Sequence, residues 1–272
     1  MNVLLRTGLM VVAVAYGALA QAQVLIMQMT GAATLQVGNS PAAGVAPDRK
    51  EIPVGARLRT GPGATMVLGF PDGQVCVIGE NTSFQVNAYR FEKGRADQGF
   101  VDLTLASGSL RIAFGEIGTA NPSAIRVQMG AANLGLGNAE TAAPTDASVV
   151  VLGGPALVVV QSGYAVVSLP SGQAQEVRTG EGMFLAQDGT VRRGDASNMA
   201  ALVGQGPAGD AMLRQLSALQ GATGTIQQTV LTLATVFGDD PRALSLPATG
   251  ATTTAGTAGL GGGGGGNIAS PN

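Results

Sequence analysis

"LRTGPGATMVLGFPDGQVCVIGENTSFQV", residues 58–86, decides the fold class of this 272-residue chain. Asp72-Gly73 stands between two runs of β-type residues. Gly takes a positive φ without a Cβ clash and Asp tolerates the turn, so the pair predicts a tight hairpin. Leu58, Met66, Leu68, Phe70, Val75, Val77 and Ile78 then form the wall of a sheet, with Asp72-Gly73 at its tip. Cys76, the only cysteine, sits between Val75 and Val77 and reads as a buried thiol. A lone cysteine makes no internal disulfide, and no His is present to activate it as a nucleophile.

Outward from this hairpin, strand-like runs such as "TLQV", "SFQVNAYRF", "SLRIAFG", "ALVVVQ" and "GMFLAQ" continue from about residue 24 to 193. Gly, Pro, Asn and Asp turns separate them at short spacing, which predicts an all-β sandwich, barrel or short solenoid. The opening unit has an echo: "LRTGPGATMVLGFPDGQV" (58–75) is answered by "VRTGEGMFLAQDGTV" (177–191). Likewise "ASGSLRIAF" (106–114) is answered by "QSGYAVVSL" (161–169). Two degenerate copies fall short of a repeat array but suggest one turn-strand-hairpin unit used twice. Arg59 and Arg178 alternate with apolar neighbours and read as solvated. Residues 89–100 and 137–148 read as loops, the first a long exposed hairpin connection. The glycines of 130–138 lack the βαβ setting of a dinucleotide loop.

Composition narrows the chemistry. There are 15 basic and 17 acidic residues with no block of either sign, no His and no Trp. Nucleic acid is an unsuitable partner without a clustered basic face. Lack of His removes the ordinary serine triad and the commonest zinc ligand. Glycoside hydrolysis needs two carboxylates facing one bond. Asp102, Glu116, Glu176 and Glu181 are candidates, but nothing in the sequence pairs them. No catalytic, cofactor-binding or metal-binding residue is assigned, and no cofactor is expected.

The ends differ from the middle. Residues 1–22, with Arg6, an apolar stretch from Leu9 to Leu19 and the small residues Ala18, Ala20 and Ala22, read as a signal peptide cleaved near Ala22. The expected location is periplasmic or secreted, with no membrane span after signal removal. A β-domain is expected over 23–195 and a helical segment over 205–238. Met212, Leu216, Leu219, Ile226, Val230, Leu233 and Phe237 recur at helical spacing, with a break near 221–224. Docking of this seam on the β-domain is the expectation; self-association through 212–237 is the alternative. The Gly/Thr/Ala-rich residues 239–272 should be disordered.

The 58–86 stretch also resembles the core signature of the FecR domain family: a Thr-Gly turn, a small-residue strand, an Asp-Gly hairpin, a second apolar strand and an Asn-Thr turn. "VDLTLASGSLRIAFGE" and "IRVQMGAANLGLGN" look like the strands that follow, so the resemblance covers about 28–140. Where many relatives carry Thr-Pro and then Arg-Gly-Thr, this chain has Met129-Gly130 and Gly137-Asn138-Ala139. Whatever that family arginine does cannot be carried over. The resemblance implies a periplasmic β-rich domain of sandwich or short-solenoid type. Its named member relays an iron-citrate signal through a cytoplasmic anti-sigma segment and a spanning helix. Only a few residues precede the apolar stretch here, so the expectation is a stand-alone exported relative without that segment. The expected role is a non-catalytic binding or scaffold module that contacts an envelope protein or glycan through sheet edges and hairpin tips. The alternative is a periplasmic sensor of iron-uptake type, working with a separate membrane or sigma-factor partner.

Overall fold

The fourteen-residue strand Phe100–Ala113 changes layer halfway along its length, and the rest of the molecule is arranged around it. The computed structural model describes residues 24–46, 49, 51–136 and 144–237. The signal-peptide reading and the tail 239–272 lie outside those residues. The strands described are β1 (Val24–Thr30), β2 (Ala33–Gln36), β3 (Ala43–Gly44), β4 (Glu51–Ile52), β5 (Arg57–Thr60), β6 (Thr65–Gly69), β7 (Val75–Ile78), β8 (Ser83–Arg90) and β9 (Phe100–Ala113). They continue as β10 (Ile125–Met129), β11 (Ala132–Gly135), β12 (Asp146–Val151), β13 (Ala156–Ser162), β14 (Tyr164–Ser168), β15 (Ala174–Arg178), β16 (Glu181–Leu185) and β17 (Val191–Asp195). The helices are α1 (Glu116–Ala120), α2 (Met199–Val203), α3 (Pro207–Gln220) and α4 (Thr223–Phe237).

Hydrogen-bond registers sort the strands into two layers. Layer A runs β4-β1-β6-β7-β9-β12-β13-β16-β17. Layer B runs β3-β2-β5-β8-β9-β10-β11-β14-β15. All pairs are antiparallel except β9 with β10. The first half of β9 belongs to B and the second half to A. The switch falls at Gly108, whose φ of 94° only Gly adopts without strain. A Cβ there would lie 2.4 Å from Thr82 Cα, so close packing demands Gly as well. Leu58, Phe84, Leu103 and Val127 of B face Met66, Leu68, Leu110 and Ile112 of A in one core. The fold is therefore mainly β, a two-layer sandwich with C-terminal helices.

Both echoed segments are layer crossings. Arg-Thr-Gly-x-Gly carries the chain from B to A twice, from β5 to β6 and from β15 to β16. Thr60 Oγ1 donates to Gly79 O at 2.6 Å and Thr179 Oγ1 to Gly163 O at 2.9 Å, so the same residue closes both corners. Gly163, φ 74°, answers Gly108 and moves the chain from A into B.

The outer face of layer A is apolar. Val67, Val75, Val77, Val150, Leu157, Val159 and Phe184 point away from the sandwich core and are covered by Met199, Leu202, Met212, Leu216, Leu219, Ile226, Val230 and Leu233. α2 lies over β16 and β17, α3 over β9 and β12, and α4 over β6 and β7. The predicted seam thus packs within its own chain, each large side chain contributing roughly 1.5–3 kcal/mol relative to exposure. The predicted break falls between Gln220 and Thr223.

Two loop readings need correction. Tyr89, placed in an exposed connection, is the buried penultimate residue of β8. A register shift between Val86 and Ala88 changes which face follows, so Tyr89 turns inward with Phe84 and Val86. The segment 137–148 is not loop to its end, because Asp146, Ala147 and Ser148 are buried residues of β12. The glycine-rich stretch 130–138 contains β11, paired with β10 and β14.

Candidate functional site

Three polar constellations stand out. The first lies at the tip of the β6–β7 hairpin. Asp72 is fully buried, and its Oδ1 accepts from Tyr89 Oη at 3.0 Å and from the Gln74 amide at 3.3 Å. Tyr89 also receives the Asp72 amide at 3.1 Å and meets the Phe70 ring edge-on, centroids 5.1 Å apart. Burial pushes the Asp72 carboxyl up to about 6, against the opposing pull of Tyr89 and the backbone N–H groups. Burial, then the Asp72 charge, also raises the Tyr89 phenol and the Cys76 thiol. A thiol held in that form is no nucleophile. Asp72 Oδ2 and Gln74 Oε1 are buried with no hydrogen-bond partner among the described residues. The cluster is sealed from solvent, so it is an internal polar knot and not a reaction centre.

The second is a clamp. Arg111 of β9 points to the helix-covered side of layer A. Its Nε and Nη2 donate to Asp146 Oδ1 and Oδ2 at 2.9 and 2.6 Å. Its Nη1 donates to the carbonyls of Leu219 and Gln220 and to Thr223 Oγ1 at 3.1, 3.2 and 2.9 Å. A cation at the last carbonyls of α3 satisfies groups that the helix leaves open, so one side chain fastens the α3–α4 junction to the sheet. Arg192 does the same for α2, donating to Leu202 O at 3.1 Å.

The third is the outer face of layer B, which no helix among the described residues covers. Here burial alternates cleanly. Arg57 and Arg59 flank buried Leu58 on β5, and Arg126 and Gln128 alternate with Ile125, Val127 and Met129 on β10. Strand registers join the outward residues into one row: Gln36 opposite Arg57, Arg57 opposite Gln85, Gln85 opposite Thr104, then Gln128, Asn133 and Ser168. The row crosses seven strands and carries only amides, hydroxyls and a guanidinium. Beside it, Asn87 Nδ2 bonds Asp102 Oδ1 at 2.9 Å and Thr104 Oγ1 at 2.8 Å. The face holds Arg57, Arg59, Arg90, Arg126 and Arg178 against Asp102 and Glu176. It is therefore basic on a chain of net charge −2. A shallow hollow of about 450 Å³ opens in it, between β10, β11, β14 and the Pro122–Ala124 turn.

The four carboxylates singled out from the sequence do not converge on one bond. Asp102 lies on the outer face of B, and Glu116 starts α1. Glu176 and Glu181 are each engaged by an arginine: Arg178 Nη2 reaches Glu176 at 3.1 Å and Arg193 Nη2 reaches Glu181 at 3.1 Å. The Arg178 amide and Arg193 hold the Glu181 carboxyl below its ordinary value, the opposite of what a general acid requires. Arg59 and Arg178 are exposed, as expected. Among the described residues no group of three or more Cys, Asp or Glu could hold a metal ion. No helix among them is long and apolar enough to cross a membrane. Sequence reasoning missed Arg111, Asp146 and Tyr89. A lone charge inside the apolar run "SLRIAF" was the available signal for Arg111.

No protein-family model matches the chain, and no curated protein matches it. Among solved structures it is similar to two described as a "putative anti-sigma factor" from Parabacteroides distasonis ATCC 8503, at 2.50 Å and 1.65 Å resolution. Identities are 13% and 14%, with TM-scores of 0.40 and 0.39. Each match covers 51% of this chain and 59% of the other, so the chain spans less than two thirds of their length. The FecR resemblance thus rests on the sequence alone, on the motif at 58–86 and the strand-like stretches that extend it over about 28–140.

Proposed function

We propose that this chain is a non-catalytic binding module of the cell envelope, exported by its N-terminal segment, that meets its partner across the outer face of layer B. One observation carries the reading. The two outer faces of the sandwich differ in kind: one is apolar and covered by the chain's own helices, while the other is polar and basic and carries no helix among the described residues. Charged and amide side chains in register across seven strands suit a broad polar contact better than a reaction, which needs a sealed pocket with groups of opposed pKa. The contact surface moves accordingly from edges and hairpin tips, the sequence-based expectation, to the face between them.

A regulatory reading uses the same surface. In it the protein senses or relays a signal of iron-uptake type to a separate membrane or sigma-factor partner. Of the two readings this one stands nearer to the solved structures described as putative anti-sigma factors.

The test is a combined glycan and protein array probed with the intact chain and with Arg57→Glu, Arg126→Glu and Arg214→Glu. Arg214 is exposed on α3, on the opposite side of the sandwich. Ligands lost with the first two variants and kept with the third support a layer-B contact. Ligands kept by both layer-B variants and lost with Arg214→Glu would move the site to the helices and overturn it.

A further inference from the structure

We propose that the hollow beside Arg126 is a binding site for a carboxylate-bearing polysaccharide. This deepens the binding-module reading and rests on it. Gly135 is among the residues that line the hollow, and a Cβ there would press on Ile125 O at 3.1 Å. On β11 it lies next to Asn133 on the same face, and its partner across the register is Val166 of β14. Arg126 of β10, Asn133 of β11, Ser168 of β14 and Ser123 supply its polar lining.

Arg126 supplies the charge. It is exposed and makes no hydrogen bond or ion pair with a described residue, unlike Arg178, which pairs with Glu176, or Arg90, which lies over the Phe100 ring. A guanidinium offers a planar fork that matches a carboxylate bidentately. A basic face on an acidic chain selects an acidic partner by charge.

The surroundings select a glycan over a peptide or nucleic acid. Peptides add to free strand edges or seat side chains in apolar pockets. β10, β11 and β14 are each paired on both sides, and of the hollow's apolar lining Ile125 and Leu134 are buried, which leaves Pro122 and Val166 part-exposed and no apolar pocket. Single-stranded nucleic acid would want a series of aromatic platforms for its bases, and this face has Phe100, which already lies under Arg90, and half-exposed Tyr164 on β14. Vicinal hydroxyls are met well by amides and hydroxyls. Gln128, Thr104 and Gln85 lead away from the hollow at the strand spacing of about 4.8 Å, so a chain of sugars would find a hydrogen-bonding group at each step.

The intact chain is titrated with polygalacturonate, with dextran as the neutral glycan and poly-L-glutamate as the acidic peptide. Wild type should bind polygalacturonate and not dextran. Arg126→Gln should weaken that binding by about tenfold or more, Arg126→Lys should lose part of it, and Arg214→Gln should leave it unchanged. Thermal midpoints check that each variant is folded. Equal binding of poly-L-glutamate would overturn the glycan assignment, and equal losses in Arg126→Gln and Arg214→Gln would reduce it to unspecific charge. No binding of polygalacturonate would also overturn it. An array ligand sensitive to Arg57→Glu or Arg126→Glu would in that case leave the layer-B contact standing.

Discussion

Residues 106–114 and 161–169 begin alike and finish in opposite surroundings. Each opens with Ser-Gly, bends at a glycine of positive φ and changes layer. The first copy ends in layer A beneath the helices and the second in layer B beside open solvent. Three residues beyond the glycine the first copy has Arg111, buried, and the second has Val166, half-exposed. Hydrophobicity alone would have assigned them the other way round. Local sequence sets the corner; what covers the strand afterwards decides whether a charge or a methyl group is tolerated there.

The largest effect should come from breaking this pair. Arg111→Leu leaves Asp146 buried without its cation and the end of α3 without its clamp, at a cost of about 3–5 kcal/mol. Val166→Ala should cost less than about 1 kcal/mol, since it creates no enclosed cavity. Urea melts of both variants check the contrast, and an Arg111→Leu protein as stable as wild type would erase it.

Next come the corners themselves. Gly108→Ala and Gly163→Ala should each cost about 2–4 kcal/mol, because both combine left-handed backbone with overpacking. The added Cβ would lie 2.4 Å from Thr82 Cα in one case and 2.8 Å from Thr145 Cα in the other. Similar losses would establish that the corners are equivalent, whereas a tolerant Gly163 would confine the constraint to the first copy.

The echoed hairpins differ through pH. Asp72 and Asp188 precede the same glycine and accept from the amide two residues on, at 3.3 and 2.9 Å. Burial raises Asp72 to about 6, while the Thr190 amide lowers exposed Asp188. For Asp72 the folded protein holds its proton more tightly than the unfolded chain. Its contribution is therefore fully present below about pH 4, falls as pH rises to about 6 and stays flat above, a span on the order of 2–3 kcal/mol. Asp188 acts with the opposite sign, losing a small stabilisation as pH falls. Asp72→Asn should flatten the stability profile between pH 4 and 6, and Asp188→Asn should leave it in place. Wild-type stability that climbs across that interval only because of Asp72 would contradict the sign.

A smaller effect than at the corners is expected where the two copies share the same turn. Gly73 and Gly189 have φ of 81° and 85°, so the backbone strain of a Val at either should cost about 1–2 kcal/mol, with overpacking added at buried Gly73 but not at exposed Gly189. A larger fall in melting midpoint for Gly73→Val than for Gly189→Val is expected, and matching falls would mark the turn as a local property of Asp-Gly.

That turn was legible in the sequence, as were the apolar wall from Leu58 to Ile78 and the helical seam from Met212 to Leu233. Each follows from a period or a turn residue within a short window. The clamp was not legible, because Arg111 and Asp146 are 35 residues apart and the second follows a run of small polar residues that reads as a loop. Tyr89 was hidden by a single extra residue that shifted the alternation of β8. The row on layer B needs seven registers known at once, which no single window contains. The sandwich itself could not be separated from a solenoid until the layer switch in β9 was seen.

β9 has one further consequence. Among the described residues, every strand pairing that joins β1–β8 to β10–β17 passes through it, in layer A by way of β7 and β12 and in layer B by way of β8 and β10. Neither half keeps a complete sheet if this strand is withdrawn, so the two halves have no separate melting transitions to display. The molecule is one foldon: the amides along β9 should be the last to exchange with deuterium, released only when the entire sandwich opens.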